Sequence, residues 1–175
     1  MAPVFGYIWL TVAMKYLPKP DISIFPYRAE LKGTFYSLNA EWLEAFFLIE
    51  PYDLKVLRNP QEMILDPGGE IYFAANEGEV VATFALVPRA EGSVELNKMA
   101  VRKDQRGLGI GNELMDYIIE RCQKRGVRSL ELYSNTKLKN AIHLYRKYGF
   151  KEIAIPQDCF YERANIRMEL RLLSD

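Results

Sequence analysis

From Ile22 onward the chain alternates between two hydrophobic periods, and each change of period marks a change of element. ISIFPYR reads as an opening strand. LNAEWLEAFFLIEPYDLKVLRNPQEMILDPGG, residues 38–69, reads as helical pieces cut by Pro51, Pro60 and Pro67. Asn39 is placed as a helix cap, with Trp42, Leu43, Phe46 and Phe47 spaced to cover one core-facing side. EIYFAANEGEVVATFALV, residues 70–87, predicts a hairpin: two runs rich in β-branched and aromatic residues flank a turn over Asn76–Glu79 that contains Gly78. SVELNKMAV, residues 93–101, predicts the next strand.

The period then switches. Ile110, Leu114, Ile118 and Cys122 recur every four residues, with Met115 and Ile119 beside them and Glu113, Glu120 and Lys124 elsewhere. That is an amphipathic helix stopped at Gly126. VRSLELYS predicts a strand, LKNAIHLYRKYG a helix, and FKEIAI and NIRMELRLL the closing strands. The resulting order of elements is mixed α/β. The strands at 93–101 and 128–134 are expected to be parallel, because a helical crossover joins them. No repeat, low-complexity run or charge block follows residue 21, so residues 21–175 are expected to form one domain and residues 1–20 an extension or arm.

Composition narrows the partners. With 175 residues and 49% hydrophobic content, the chain suffices for one substantial core. The first twenty residues hold an apolar run from Ala2 to Met14, too short to span a bilayer. Its first positive charge, Lys15, follows the run, where a secretory signal places charge before it. Met14 is an alternative natural start. The 23 basic and 23 acidic residues cancel, giving no global field for nucleic acid or an anionic membrane, so neither partner is expected. Two cysteines, Cys122 and Cys159, are too few for a disulfide framework or a zinc site, which suggests no metal and a reducing cytoplasm.

The chemistry concentrates in QRGLGIGNELMDYIIERC, residues 105–122, where Gly107, Gly109 and Gly111 alternate between a strand and a helix start. Such a turn leaves backbone N–H groups at the positive end of a helix dipole, a site for phosphate. Glycine permits positive φ and removes the Cβ atoms that would keep a bulky diphosphate off the backbone. The stretch is not a Walker A loop, since no Gly-Lys-Ser/Thr follows. It departs from the dinucleotide G-x-G-x-x-G pattern because Asn112 stands at the third glycine, and it follows several strands where a Rossmann domain opens with its own.

The loop resembles that of the GCN5-related N-acetyltransferases (GNAT), with Arg106, Gly109 and Gly111 at the motif positions. ELYSNTKLKNAIHLYRKYGFKEI, residues 131–153, is similar to the family's strand, helix and Leu-Tyr-x-x-x-Gly-Phe ending, supplied by Leu144, Tyr145, Gly149 and Phe150. The resemblance is clear over residues 94–153 and extends by element order from about 22 to 172; residues 1–20 have no counterpart. It implies an α/β (α+β layered) fold, a GNAT-like mixed, mostly antiparallel twisted sheet with helices on both faces. LNAEWLEAFF, GGEIYFA, SNTKLKNAI and YERANIRMEL are similar to a bacterial subgroup that includes domains fused to MarR-type regulators. Nothing resembles the regulator, so DNA binding is not carried over.

The resemblance implies acetyl transfer from acetyl-coenzyme A (acetyl-CoA) to a primary amine of a small molecule or peptide. Arg106, Gly107, Leu108, Gly109, Ile110, Gly111 and Asn112 would clasp the cofactor's pyrophosphate. Met99, Ala100 and Val101 would offer strand-edge backbone to its pantetheine arm, where two family strands splay apart. Asn135 and Asn140 fall where contacts to the arm are expected. Arg146 or Lys147 would meet the nucleotide phosphate, or both are simply solvated helix charges.

Glu95, eleven residues before Arg106, matches the spacing of a family glutamate base. Alternatively it orients substrate, or pairs with Lys98 or another cation. Strict alternation puts it on one face with Asn97 and Met99. Tyr145 matches the family tyrosine near the cofactor sulfur and is read as the acid; alternatively it is a core tyrosine on the Leu138 and Ile142 side of its helix. His143 projects elsewhere and is expected at the surface. A non-catalytic acyl-CoA-binding module is the competing function. Family habit and the aromatic N-terminal segment suggest a homodimer.

Overall fold

The computed structural model describes residues 21–157, 159 and 161–173. The expectations for residues 1–20 lie outside them. Seven strands form one sheet in the order β1-β2-β3-β4-β5-β7-β6: β1 Ile22–Pro26, β2 Glu70–Asn76, β3 Glu79–Pro88, β4 Ser93–Val101, β5 Ser129–Ser134, β6 Lys151–Ile153 and β7 Ile166–Arg171. Every pairing is antiparallel except β4 with β5, which the crossover helix makes parallel. The β2–β3 hairpin turns on Glu77 and Gly78, both at positive φ.

Period-two alternation sends β2 and β3 residues to two cores. Ile71, Phe73 and Ala85 pack with Phe35 and Leu43 of α1 (Lys32–Glu44) and Val56 and Leu57 of α2 (Pro51–Arg58). Tyr72, Ala74, Phe84 and Leu86 face the other side. There they meet Ile110, Leu114, Met115, Ile118 and Cys122 of α3 (Ile110–Lys124) and Ile142 of α4 (Lys139–Lys147). Burying each such aliphatic side chain contributes about 1.5–3 kcal/mol, so the four-residue spacing of α3 fixes that helix to the sheet.

Two expectations fail around α1. Asn39 is no cap; it lies buried inside the helix, where its Nδ2 donates to the Phe35 carbonyl four residues back at 2.9 Å. The helix also ends at Glu44, so of the proposed face Leu43 is buried in the core and Trp42 packs against it, while Phe46 is 48% exposed. Pro51 occupies the first turn of α2, where its missing N–H costs nothing. Among the described residues no helix is long and apolar enough to cross a membrane.

Candidate active site

β4 and β5 pair only at their beginnings, from Ser93 opposite Ser129 to Glu95 opposite Glu131. Beyond that point they diverge, and the β5-facing edge of β4 from Leu96 to Val101 has no strand beside it. A cavity opens there, lined by Glu95, Asn97, Met99, Leu132, Asn135, Tyr145 and Tyr161 among others.

A bulge shapes this edge. Asn97 stands opposite Ala85 and Ala100 opposite Thr83, so Lys98 and Met99 together oppose Phe84. Lys98 takes a φ of 51°, uncommon for a residue with a side chain. The extra residue inverts the alternation: Glu95 and Asn97 share a face, while Met99 turns to the α3–α4 core with Val101. The expectation that Met99 shares the face of Glu95 is thereby corrected.

At the loop after β4, Gly107 and Gly109 adopt φ values of 83° and 88°. A Cβ at either would point into open space. Gly111 differs, since its Cβ would meet Leu144 Cδ2 of α4 at 3.3 Å, so this glycine serves helix packing. The backbone amides of Gly107, Leu108, Gly109, Ile110 and Gly111 have no acceptor among the described residues. Five unanswered donors at a helix start, with open space at two glycines, fit a diphosphate. Arg106 turns away from them: its Nε donates to the Val101 carbonyl at 2.8 Å and its guanidinium approaches Glu41. Leu108 is exposed. Lys147 Nζ donates to Asn112 Oδ1, which sets an ammonium beside the start of α3. His143 and Arg146 are exposed.

Tyr145 lines the cavity half-buried, and burial pushes its phenol up to about 12. Its hydroxyl has no hydrogen-bond partner among the described residues. Asn135 is committed to the chain itself, its Nδ2 donating to the Arg163 carbonyl at 2.6 Å and its Oδ1 accepting from the Lys137 amide. Asn140 is exposed and lies off the cavity.

Glu95 is 3% exposed and fully engaged. Arg89 donates to Oε2 from Nε at 2.9 Å and from Nη2 at 2.6 Å, while Asn97 Nδ2 and Tyr161 Oη donate to Oε1 at 3.0 and 2.6 Å. Burial and this carboxylate push the Tyr161 phenol far up. The paired-cation alternative for Glu95 is therefore present, with Arg89 rather than Lys98 as the cation. Lys98 Nζ instead donates to Asp53 Oδ1 at 2.9 Å. Arg163 clasps Asp53 through Nη1 at 2.5 Å and Nη2 at 2.9 Å and also reaches Glu50 at 3.1 Å. Burial alone would raise the Asp53 carboxyl, but the Arg163 guanidinium and Lys98 ammonium outweigh it and hold the group below the usual carboxylate range. Tyr161 and Arg163 fall in the YERANIRMEL stretch, but nothing in the sequence marks them, Arg89 or Asp53 as site residues.

Residues 34–150 match the Acetyltransferase (GNAT) family. N-acetyltransferase YvbK of Bacillus subtilis is 31% identical over 114 residues, covering 63% of this chain and 74% of its own. The ribosomal protein bS18-alanine N-acetyltransferase of Escherichia coli is 30% identical over 105 residues, covering 54% and 71%. A GNAT-family acetyltransferase from Staphylococcus aureus Mu50 superposes with a TM-score of 0.78 at 25% identity, over 87% of this chain and 99% of that one. A Bacillus subtilis acetyltransferase in complex with CoA superposes with a TM-score of 0.65 at 23% identity, over 89% and 100%. The splayed strands and the unanswered amides thus sit in a chain that belongs to the GNAT family and is an acetyl-CoA-dependent N-acetyltransferase.

Proposed function

We propose that residues 21–175 act as a single cytoplasmic domain that acetylates a primary amine of a small molecule or peptide. The opening of β4 from β5 beyond Glu95 carries the reading, because it gathers Glu95, Tyr145 and an unpaired strand edge around one cavity. The amides of Gly107–Gly111 would bind the diphosphate, with Asn112 and Lys147 at the loop's end. The edge from Met99 to Val101 would take the amides of the arm by strand addition. Bound there, acetyl-CoA supplies an acetyl group activated as a thioester. The four stretches similar to domains fused to MarR-type regulators support that subgroup, and family habit and the aromatic N-terminal segment support a homodimer.

Tyr145 Oη holds the proton that the leaving sulfur takes up; its raised pKa keeps the phenol neutral at physiological pH. An alkyl amine, with a pKa of roughly 10, must lose a proton before it attacks. Both oxygens of Glu95 already accept from Arg89, Asn97 and Tyr161, which favours a positioning role, with the amine proton leaving through water. Incubation with labelled acetyl-CoA and a panel of primary amines, including an alanine-terminated peptide as suggested by the Escherichia coli relative, tests the reading. Labelled amide product is expected; cofactor binding without product from any amine would leave only a binding module.

A further inference from the structure

The wall of the cavity shared by Tyr145 and Glu95 is strongly aromatic. Trp42, Phe47, Tyr133 and Tyr161 line it, and all four rings are half-buried. Tyr133 and Tyr161 approach to 5.0 Å between centroids, Trp42 and Phe47 to 6.3 Å. The charged groups that line it are already answered within the chain: Glu95 by Arg89, Lys98 by Asp53, and Arg163 by Asp53 and Glu50. A polyamine or a lysine-rich peptide would bring further ammonium groups into this space, where no lining carboxylate among the described residues is spare to offset their lost hydration. A single amine on a flat apolar body meets no such cost and can bury its ring against the four. We infer that the acceptor is a primary monoamine with an aromatic body. The inference rests on the proposed amine acetylation.

The test uses the full chain with coenzyme A bound, titrated with 2-phenylethylamine or spermidine and followed by calorimetry, with acetyl product measured in parallel from acetyl-CoA. Phenylethylamine should bind at least tenfold more tightly than spermidine. Phe47→Ala should raise its KM about tenfold, the loss of roughly 1.4 kcal/mol of ring burial, with kcat and coenzyme A affinity little changed. Phe47 belongs to neither buried core cluster, so the variant is expected to fold. Tighter binding or higher kcat/KM for spermidine, no saturable phenylethylamine binding, or an unmoved KM in Phe47→Ala each overturns the inference. Saturable phenylethylamine binding with no acetyl product would instead sink acetyl transfer and leave the aromatic site standing.

Discussion

On the glycine-loop side of the cleft, five consecutive amides from Gly107 to Gly111 have no acceptor among the described residues, and the side chains nearby do little more than hold the loop. On the other side, Glu95, Asp53, Lys98, Arg89 and Arg163 satisfy one another across separations of up to 110 residues. Backbone donors of one short segment are positioned by its own φ and ψ, so damage there should reach cofactor binding and little else. Side-chain charges drawn from α2, the β3–β4 connection, β4 and the segment before β7 position one another, so damage there should spread into stability and acceptor geometry together.

Tyr145 stands between the two sides, and its loss should give the largest effect. Tyr145→Phe keeps the ring and its packing against Phe150, whose centroid lies 5.8 Å away, and removes the hydroxyl with the only proton the side chain can give. A positioned acid contributes about 10²- to 10⁴-fold, so turnover at neutral pH should fall by that order while cofactor affinity holds. Steady-state rates and calorimetric binding measured on one preparation check both halves. Near-normal turnover would return Tyr145 to a packing role.

Asp53→Asn should come next and strike the side-chain half. Asp53 is 1% exposed and holds Lys98 and Arg163 together, so removing its charge leaves the buried Lys98 ammonium without a carboxylate and Arg163 with Glu50 alone; losses of about 3–5 kcal/mol are typical of a broken buried pair. The sign of the pH dependence follows from the depressed carboxyl. Its contribution is complete above the unfolded pKa of about 3.9 and disappears as pH falls through the lower folded value. Denaturant titrations from pH 7 downward should therefore show a steep acid limb in the native protein and a shallower one in Asp53→Asn. Parallel limbs would mean that the pair contributes no net stability.

Gly109→Val should act on the backbone half. At a φ of 88° a side chain carries about 1–3 kcal/mol of strain, and the added atoms enter the open space proposed for phosphate. Cofactor affinity should drop at least tenfold in a chain that still folds. Gly111→Ala sharpens the contrast: its Cβ presses on Leu144 of α4, so it should cost stability by overpacking and leave affinity nearly unchanged. Equal affinity losses in the two variants would erase the distinction between the two glycines.

The same division explains what was legible in the sequence. The loop, helices α3 and α4 and the parallel pairing of β4 with β5 depend on contiguous residues or on one crossover, and periodicity carries them. Arg89, Tyr161, Asp53 and Arg163 acquire meaning only after folding, since Tyr161 is 66 residues from Glu95 and Arg163 is 110 from Asp53. Strict alternation misplaces Met99 because one bulged residue reverses every later side chain on the strand, and no residue type announces a Lys98 at positive φ. Residue preference misplaces Asn39 because asparagine favours caps, yet here its amide finds the Phe35 carbonyl inside the helix.

Glu95→Gln should give the smallest effect and decides how the two sides meet. Glutamine keeps the shape and can still accept from Tyr161 or Arg89, but bonds to a neutral acceptor are roughly half as strong as those to a carboxylate. The Tyr161 hydroxyl and the Asn97 amide, now anchored at 2.6 and 3.0 Å, would loosen, and turnover should fall about tenfold or less. The pH profile separates position from proton transfer. A base would be missed most at neutral and lower pH, where the amine is protonated, and the variant would recover as rising pH strips the amine unaided. A positioning carboxylate leaves the same fractional defect at every pH, and that parallel profile is the expected outcome. Recovery toward native turnover between pH 7 and 10 would make Glu95 the base after all, with Arg89 releasing it when substrate binds.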